Sequence, residues 1–299
     1  MKTALVTGAT GFIGHPALSL LLTKGYEVHA AAIDAPPAGS GNIHWHATDL
    51  LDPASVEHLI AEVKPTHLLH FAWYAVPGRY WTSPENVRWV QASLELLQAF
   101  ARHGGQRVVM AGTCAEYDWN YGYCTEVRTP LAPATLYGTS KHALQLVLGA
   151  YAKQARLSAA WGRIFFLYGP REHPGRLVPS VVTALLKGEP ARCTHGNQIR
   201  DFLYVDDVAA AFVALLESQV TGAVNIASGV PVSLKDVIYG IADQLQRRDL
   251  VELGALPAAP NEPGLLVADV RRLHEEVGWR PTQTLSAGLE LTIEWWRKQ

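Results

Sequence analysis

Short apolar runs alternate with helix-length amphipathic stretches, and this alternation constrains the fold more than any other feature of the sequence. Thr3–Thr7, Glu27–Ile33, His67–Phe71, Arg107–Ala111 and Ser158–Phe166 read as buried strands, while Pro16–Lys24, Pro53–Val63, Pro84–His103 and Thr135–Ala155 carry helical periodicity. A strand, a helix and a second strand of one sheet join by right-handed crossovers, so the order predicts an α/β fold with a parallel sheet covered on both faces. Such sheets bind ligands beyond the carboxyl ends of their strands, which places the expected pocket in the loops that follow them.

At 299 residues the chain has enough material for one large domain or two modest ones, and with 48% hydrophobic residues it is too apolar for disorder. A formal net charge of −2 gives no global field toward nucleic acid or an anionic membrane, so neither partner is expected. Cys114, Cys124 and Cys193 are an odd number without metal-ligand spacing; no disulfide framework, zinc site or other metal is expected, and a reducing compartment fits. Only four apolar or small residues precede the first loop glycines, and no apolar run approaches the length of a membrane span, so the cytoplasm is the expected location. Ala35–Gly41 and Leu256–Gly264, dense in Pro, Gly and Ala, read as loops, the second as a candidate linker.

The first strand runs into GATGFIG, with Gly8, Gly11 and Gly14 opening the first helix. Glycines there permit a tight turn and let backbone N–H groups approach a pyrophosphate, whose charge the helix amino terminus favours. The second strand ends at Asp34, which is either a ribose-binding acid displaced by two residues or the start of the Pro36-Pro37 loop, so NAD and NADP are not distinguished. Asp49 is placed to accept from an adenine amino group or to cap the next helix; Asp52, just before Pro53, is itself a cap.

Tyr137 and Lys141 lie four apart at the start of a helix and share a face. A lysine ammonium beside a phenol lowers its pKa, so Tyr137 is suited to move the proton that balances a hydride shift at carbon. The run AGTCAEYD after the strand Arg107–Ala111 presents the Thr113 hydroxyl at a strand end, suited to hydrogen-bond a substrate oxygen.

In this order, followed by RIFFLYGP (Arg163–Pro170), GNQIRDFLYVDDVAAA (Gly196–Ala211), NIASG (Asn225–Gly229) and VADVRRLHEEVGWRP (Val267–Pro281), these motifs resemble the extended short-chain dehydrogenase/reductase superfamily, in its sugar-nucleotide epimerase/dehydratase branch, over nearly the whole chain. The resemblance implies a Rossmann-type doubly wound parallel sheet over residues 1–168 and a smaller carboxy-terminal substrate-binding lobe over 169–299, with about 200–227 returning to the first domain. It implies NAD(H) or NADP(H) held by Gly8, Gly11, Phe12, Ile13, Gly14, Asp34, Asp49, Leu50, Phe71, Ala72, Tyr137 and Lys141. It implies Thr113, Tyr137 and Lys141 as the catalytic set, and a nucleoside-diphosphate sugar whose diphosphate meets Arg200, the competing reading of Arg200 being an ion pair with Asp201 or another neighbouring acid. A homodimer through the helices Pro84–His103 and Thr135–Ala155 is implied as well.

Departures from the family pattern shape the functional expectation. Dehydratases carry elimination acids directly after the active-site Ser/Thr; here those places hold Cys114 and Ala115, so a dehydratase is disfavoured. Glu116 is expected to point to another face, and Cys114 reads as a packed thiol before a weak acid. The usual Asn of the helix after the fourth strand aligns with Trp89, and that of the YGP motif with Phe166. Trp73, Tyr74, Tyr80 and Trp81 fall at the mouth of the site, as sugar-stacking groups or as a plug between lobes. His173 and Arg176 either reach the substrate or lie in a solvated loop. Trp119, Tyr121 and Tyr123 resemble a lid, and Trp295-Trp296 a helix-packing pair. The expectation is a reductase of a nucleotide-linked 4-keto-6-deoxyhexose, with a 4-epimerase that retains its NAD as the alternative and a non-catalytic dinucleotide-sensing regulator as a remote one.

Overall fold

The structure, a computed structural model, describes residues 2–34, 41–260 and 262–299. Most of the Ala35–Gly41 loop therefore lies outside the described residues. The amino-terminal part runs β1 (Thr3–Thr7), α1 (Gly14–Thr23), β2 (Glu27–Ala32), β3 (Ile43–Ala47), α2 (Pro53–Val63), β4 (His67–His70), α3 (Glu85–Arg102), β5 (Arg107–Thr113), β6 (Tyr123–Cys124), α4 (Leu136–Ala155) and β7 (Ser158–Ile164). The carboxy-terminal part runs β8 (Phe166–Tyr168), α5 (Leu177–Leu186), β9 (Ala191–Arg192), β10 (Ile199–Tyr204), α6 (Val205–Glu217), β11 (Gly222–Ile226), β12 (Pro231–Ser233), α7 (Leu234–Leu245), β13 (Val251–Glu252), β14 (Leu265–Ala268) and α8 (Leu285–Trp296).

Seven strands form one parallel sheet in the order β11-β7-β5-β4-β1-β2-β3. The chain leaves β1 toward β2 and β3 on one side and takes up β4, β5, β7 and β11 on the other, so the strand order reverses between β1 and β4. That reversal opens a crevice at the strands' carboxyl ends, where the Gly8 loop and Phe71-Ala72 lie. Period-two alternation divides the core: Ala4 and Val6 face α1 and α6 with Leu21 and Phe212, whereas Leu5 faces the opposite layer with Leu68, Leu96, Phe100, Val108 and Trp161. Helix starts follow their capping chemistry. Asp52 accepts from the N–H groups of Ala54 and Ser55 with Pro53 at the first helical position, and Thr135 accepts from Gly138.

The sequence-predicted strand Ser158–Phe166 is two strands. Phe165 N–H donates to the Ile226 carbonyl at 3.2 Å, and the chain then leaves the large sheet for a second one, where β8 pairs β10. The second sheet has the order β12-β10-β14-β6, with β8 also on β10. Within residues 199–227, β10 belongs to this second sheet, while α6 packs on the α1 face of the large sheet and β11 closes its edge. A separate core beneath α5, α7 and α8 contains Val182, Leu185, Ile238, Ile241, Leu289 and Ile293, with Trp296 packed against it.

Leu256–Gly264 is not a linker. It connects β13 to β14 inside the lobe, with Leu256 N–H on the Cys193 carbonyl and the Gly264 carbonyl on Ile199 N–H. Among the described residues no helix is long and apolar enough to cross a membrane.

Candidate active site

The first loop after β1 is shaped by its glycines. Gly8 has φ +65, and a Cβ there would come within 2.8 Å of Ala72 N; one on Gly14 would strike the Gly8 carbonyl oxygen. Gly11 N–H donates to that same carbonyl at 2.9 Å, closing the turn. No side chain caps the start of α1, and His15 N–H donates to the Gly11 carbonyl at 3.1 Å. Phe12 and Ile13 are half-buried on this turn, and Leu50, Phe71 and Ala72 line the neighbouring strand ends. Asp34 is exposed at the end of β2. Asp49 does not cap α2: its carboxylate accepts from Leu51 N–H at 2.9 Å, and Asp52 holds the cap. This cradle, with close backbone approach and a helix start that no side chain caps, fits the pyrophosphate of a dinucleotide.

Thr113 ends β5, and its hydroxyl accepts from Ala115 N–H at 3.2 Å. Tyr137 is half-buried at the start of α4, and the Thr113 hydroxyl next to it favours its ionised form. Burial outweighs that and pushes the Tyr137 phenol well above its ordinary value. The expected depression by Lys141 is absent because its ammonium points elsewhere. Lys141, buried, donates to the Ala111 carbonyl at 2.9 Å and lies 3.7 Å from the centroid of the Trp73 ring. Desolvation brings this lysine down to about 7, with Glu116 acting against the shift.

Glu116 is fully buried with both oxygens engaged. One accepts from Thr113 N–H at 2.9 Å and from Trp161 Nε1 at 2.8 Å, and the other from Arg163 Nε at 2.7 Å. Arg163 also reaches the Tyr117 hydroxyl, which donates to Asn225. The carboxylate is thus committed to holding the end of β5 and the Arg163 guanidinium. Cys114 is buried and its thiol is pushed far up by desolvation, so it is a neutral packing group beside Cys124, itself pushed up to about 12.

Aromatic rings enclose Tyr137. Tyr80 meets its edge at 4.8 Å and Trp81 at 5.7 Å between centroids, and Trp119 in turn meets Trp81 at 6.0 Å. Trp73 donates to Asn86, which spans the Tyr80 and Ser83 carbonyls from inside α3. Tyr74 is half-buried beside it. Trp119 donates to the Cys114 carbonyl at 2.9 Å, while Tyr121 and Tyr123 are exposed, so only the first of the expected lid residues touches the Thr113 loop.

From the second lobe, Arg176 lies 5.5 Å from the Tyr80 ring centroid and so joins the cage, whereas His173 is exposed and its Nδ1 accepts from Gly175 N–H in a local turn. Arg200, buried, pairs with Glu262 at 2.9 Å and lies 5.3 Å from the half-buried Phe166 ring. Asp201 is not its partner: that carboxylate holds the N–H groups of Ser228, Gly229 and Ala268.

Three residues escaped the sequence reading. Asn86, one turn before Trp89, carries the buried amide. Glu262 neutralises Arg200. Glu172, buried with an unpartnered oxygen beside Arg176, is raised to about 8 by desolvation. Only Asn86, a lone amide on the buried stripe of a helix, left a signal in the sequence.

Residues 4–227 match the family described as NAD dependent epimerase/dehydratase. UDP-glucuronic acid decarboxylase 1 of Danio rerio is 28% identical over 314 residues, spanning 100% of this chain and 73% of that protein. UDP-glucose 4-epimerase of Corynebacterium glutamicum is 27% identical, spanning 94% of this chain and 91% of its own. Among solved structures, MoeE5 in complex with UDP-glucuronic acid and NAD is 30% identical with a TM-score of 0.87, covering 99% of each chain.

Proposed function

Since the chain belongs to the NAD dependent epimerase/dehydratase family and is an enzyme of the extended short-chain dehydrogenase/reductase type, we propose that it reduces the carbonyl of a nucleoside-diphosphate 4-keto-6-deoxyhexose with NADH or NADPH. One observation carries this reading: Tyr137 at the start of α4 stands beside Thr113 at the end of β5, while Glu116, the acid closest to Thr113 in sequence, is locked by Arg163 and Trp161. With Cys114 a neutral thiol and Ala115 inert, the loop after β5 offers hydride-linked proton transfer without an elimination base.

A dinucleotide held by the Gly8–Gly14 turn would supply the hydride for the keto carbon, the C=O π pair moving to oxygen. Thr113 orients that oxygen, and Tyr137 O–H donates the proton to it, so alkoxide becomes alcohol. A phenol held high by burial is protonated at rest and so carries the proton to be given. Lys141 is the residue that would hold the cofactor ribose, and the proton given up by Tyr137 returns from solvent. Arg200 takes the diphosphate, releasing Glu262. Tyr137→Phe tests this. Turnover falls by about 10²–10⁴ while dinucleotide affinity stays unchanged; unaltered turnover overturns the mechanism.

A 4-epimerase is the second reading, favoured by similarity to UDP-glucose 4-epimerase over nearly the whole chain. It uses the same three residues in both directions and retains its nicotinamide. Cofactor copurifying with the protein and two sugars interconverting with none added distinguish it. A homodimer through α3 and α4 is part of the proposal, supported by exposed Val87 on α3 and Leu146 and Val147 on α4.

A further inference from the structure

At the outer edge of the large sheet, three imidazoles and a carboxylate share one face of β2 and β3. His29 stands opposite His44 in the parallel register, Glu27 lies two residues before His29, and His46 two after His44. One donor atom from each of Glu27, His29 and His44 lies within 4.8 Å of the others. His29 Nε2 is 3.6 Å from the Glu27 carboxylate, and its Nδ1 is 2.9 Å from His46 Nε2.

Packing does not explain this set. The positions are half-buried or exposed on edge strand β3 and its neighbour β2, where β-branched or aromatic residues serve a sheet better and where protonated imidazoles repel one another. The rings of His29 and His44 stack 4.8 Å apart, and exposed His44 has room to turn its lone pair toward the carboxylate.

We propose that Glu27, His29 and His44 bind a divalent cation of the zinc class, clamping edge strand β3 to β2. Two nitrogens and one carboxylate oxygen suit Zn²⁺, Co²⁺ or Ni²⁺; Ca²⁺ and Mg²⁺ prefer an all-oxygen set. Three protein ligands leave one position for water. His46 is the partner that fixes the His29 ring through its second nitrogen, as metal-bound histidines commonly require. The cysteine spacing that argues against a thiolate site has no bearing on these residues. Glu27 and His29 lie in the first half of β2, away from the carboxyl-end crevice, so the cation clamps structure and takes no part in hydride transfer.

The test is titration of the dialysed full-length protein with Co²⁺, read by its visible d–d bands, followed by displacement with Zn²⁺. The expected result is one site per chain, weakened at least about tenfold by His29→Ala and by His44→Ala, unchanged by His58→Ala on neighbouring α2, and a Zn²⁺-dependent rise in Tm that His44→Ala removes. Circular dichroism verifies that each variant is folded. No stoichiometric binding, binding indifferent to His44→Ala, or binding lost in His58→Ala overturns the proposal.

Discussion

The two sides of the crevice are built by different means. The proposed dinucleotide cradle is backbone: the Gly8 φ angle, a turn hydrogen bond and a helix start that no side chain caps, all within seven residues of chain. The proposed sugar side is made of side chains from separate segments, with Trp73 and Tyr80 after β4, Trp119 after β5, Arg176 after β8, Arg200 on β10 and Glu262 before β14. A backbone site tolerates no added atom where chain meets chain. A side-chain site can be altered piecemeal, and here it is aromatic and internally charge-paired.

The largest effect is expected on the backbone side. Gly14→Val drives its side chain into the Gly8 carbonyl, and dinucleotide affinity measured by calorimetry falls by about 10² or more, whereas Trp73→Leu on the other side leaves that affinity within about threefold. Next in size is Glu116→Gln. Removing this charge strands the Arg163 guanidinium, so stability in urea drops by about 3–5 kcal/mol. A change confined to the pH profile of turnover, with stability intact, contradicts the structural role assigned to Glu116.

Lys141 gives a smaller effect with a definite sign. Its folded value of about 7 lies below the unfolded 10.5, so the unfolded chain binds the extra proton between these limits. Its burial therefore costs most stability below about pH 7, and the cost fades as pH rises toward 10.5. Lys141→Met is more stable than the parent at pH 7, with the gap closing by pH 10, while its turnover is lost. A constant gap contradicts the burial argument. The smallest effect belongs to Glu262→Gln, which frees Arg200 and tightens a nucleoside diphosphate by about three- to tenfold, read by fluorescence titration.

The same division explains what the sequence revealed. β1, the Gly8 loop and α4 are local in sequence, so periodicity, glycine spacing and the Thr135 cap announce them. The break at Phe165 is invisible locally, since Ser158–Phe166 is one apolar run; only pairing of β8 with distant β10 divides it. Asp201 and Asp207, conspicuous in RDFLYVDD, do architectural work by holding the N–H groups of Ser228–Gly229 and Thr282–Gln283. Glu262 lies 62 residues from the arginine it neutralises, and no spacing rule connects them. Lys141 shows the limit of motif reasoning. Its four-residue offset from Tyr137 puts both on one helix face, yet the carbonyl of Ala111 and the face of Trp73 decide where its charge goes.

Net hydride transfer to a nucleotide-linked keto sugar is what separates the two proposed activities. The most direct test follows reduced-nicotinamide absorbance as cofactor-stripped enzyme meets NADH or NADPH and a panel of nucleoside-diphosphate 4-keto-6-deoxy sugars. Stoichiometric loss of absorbance is expected with one sugar and one cofactor, abolished in Tyr137→Phe. Unchanged absorbance across the panel, with sugar isomers still interconverting on catalytic NAD, contradicts it and makes the enzyme an epimerase.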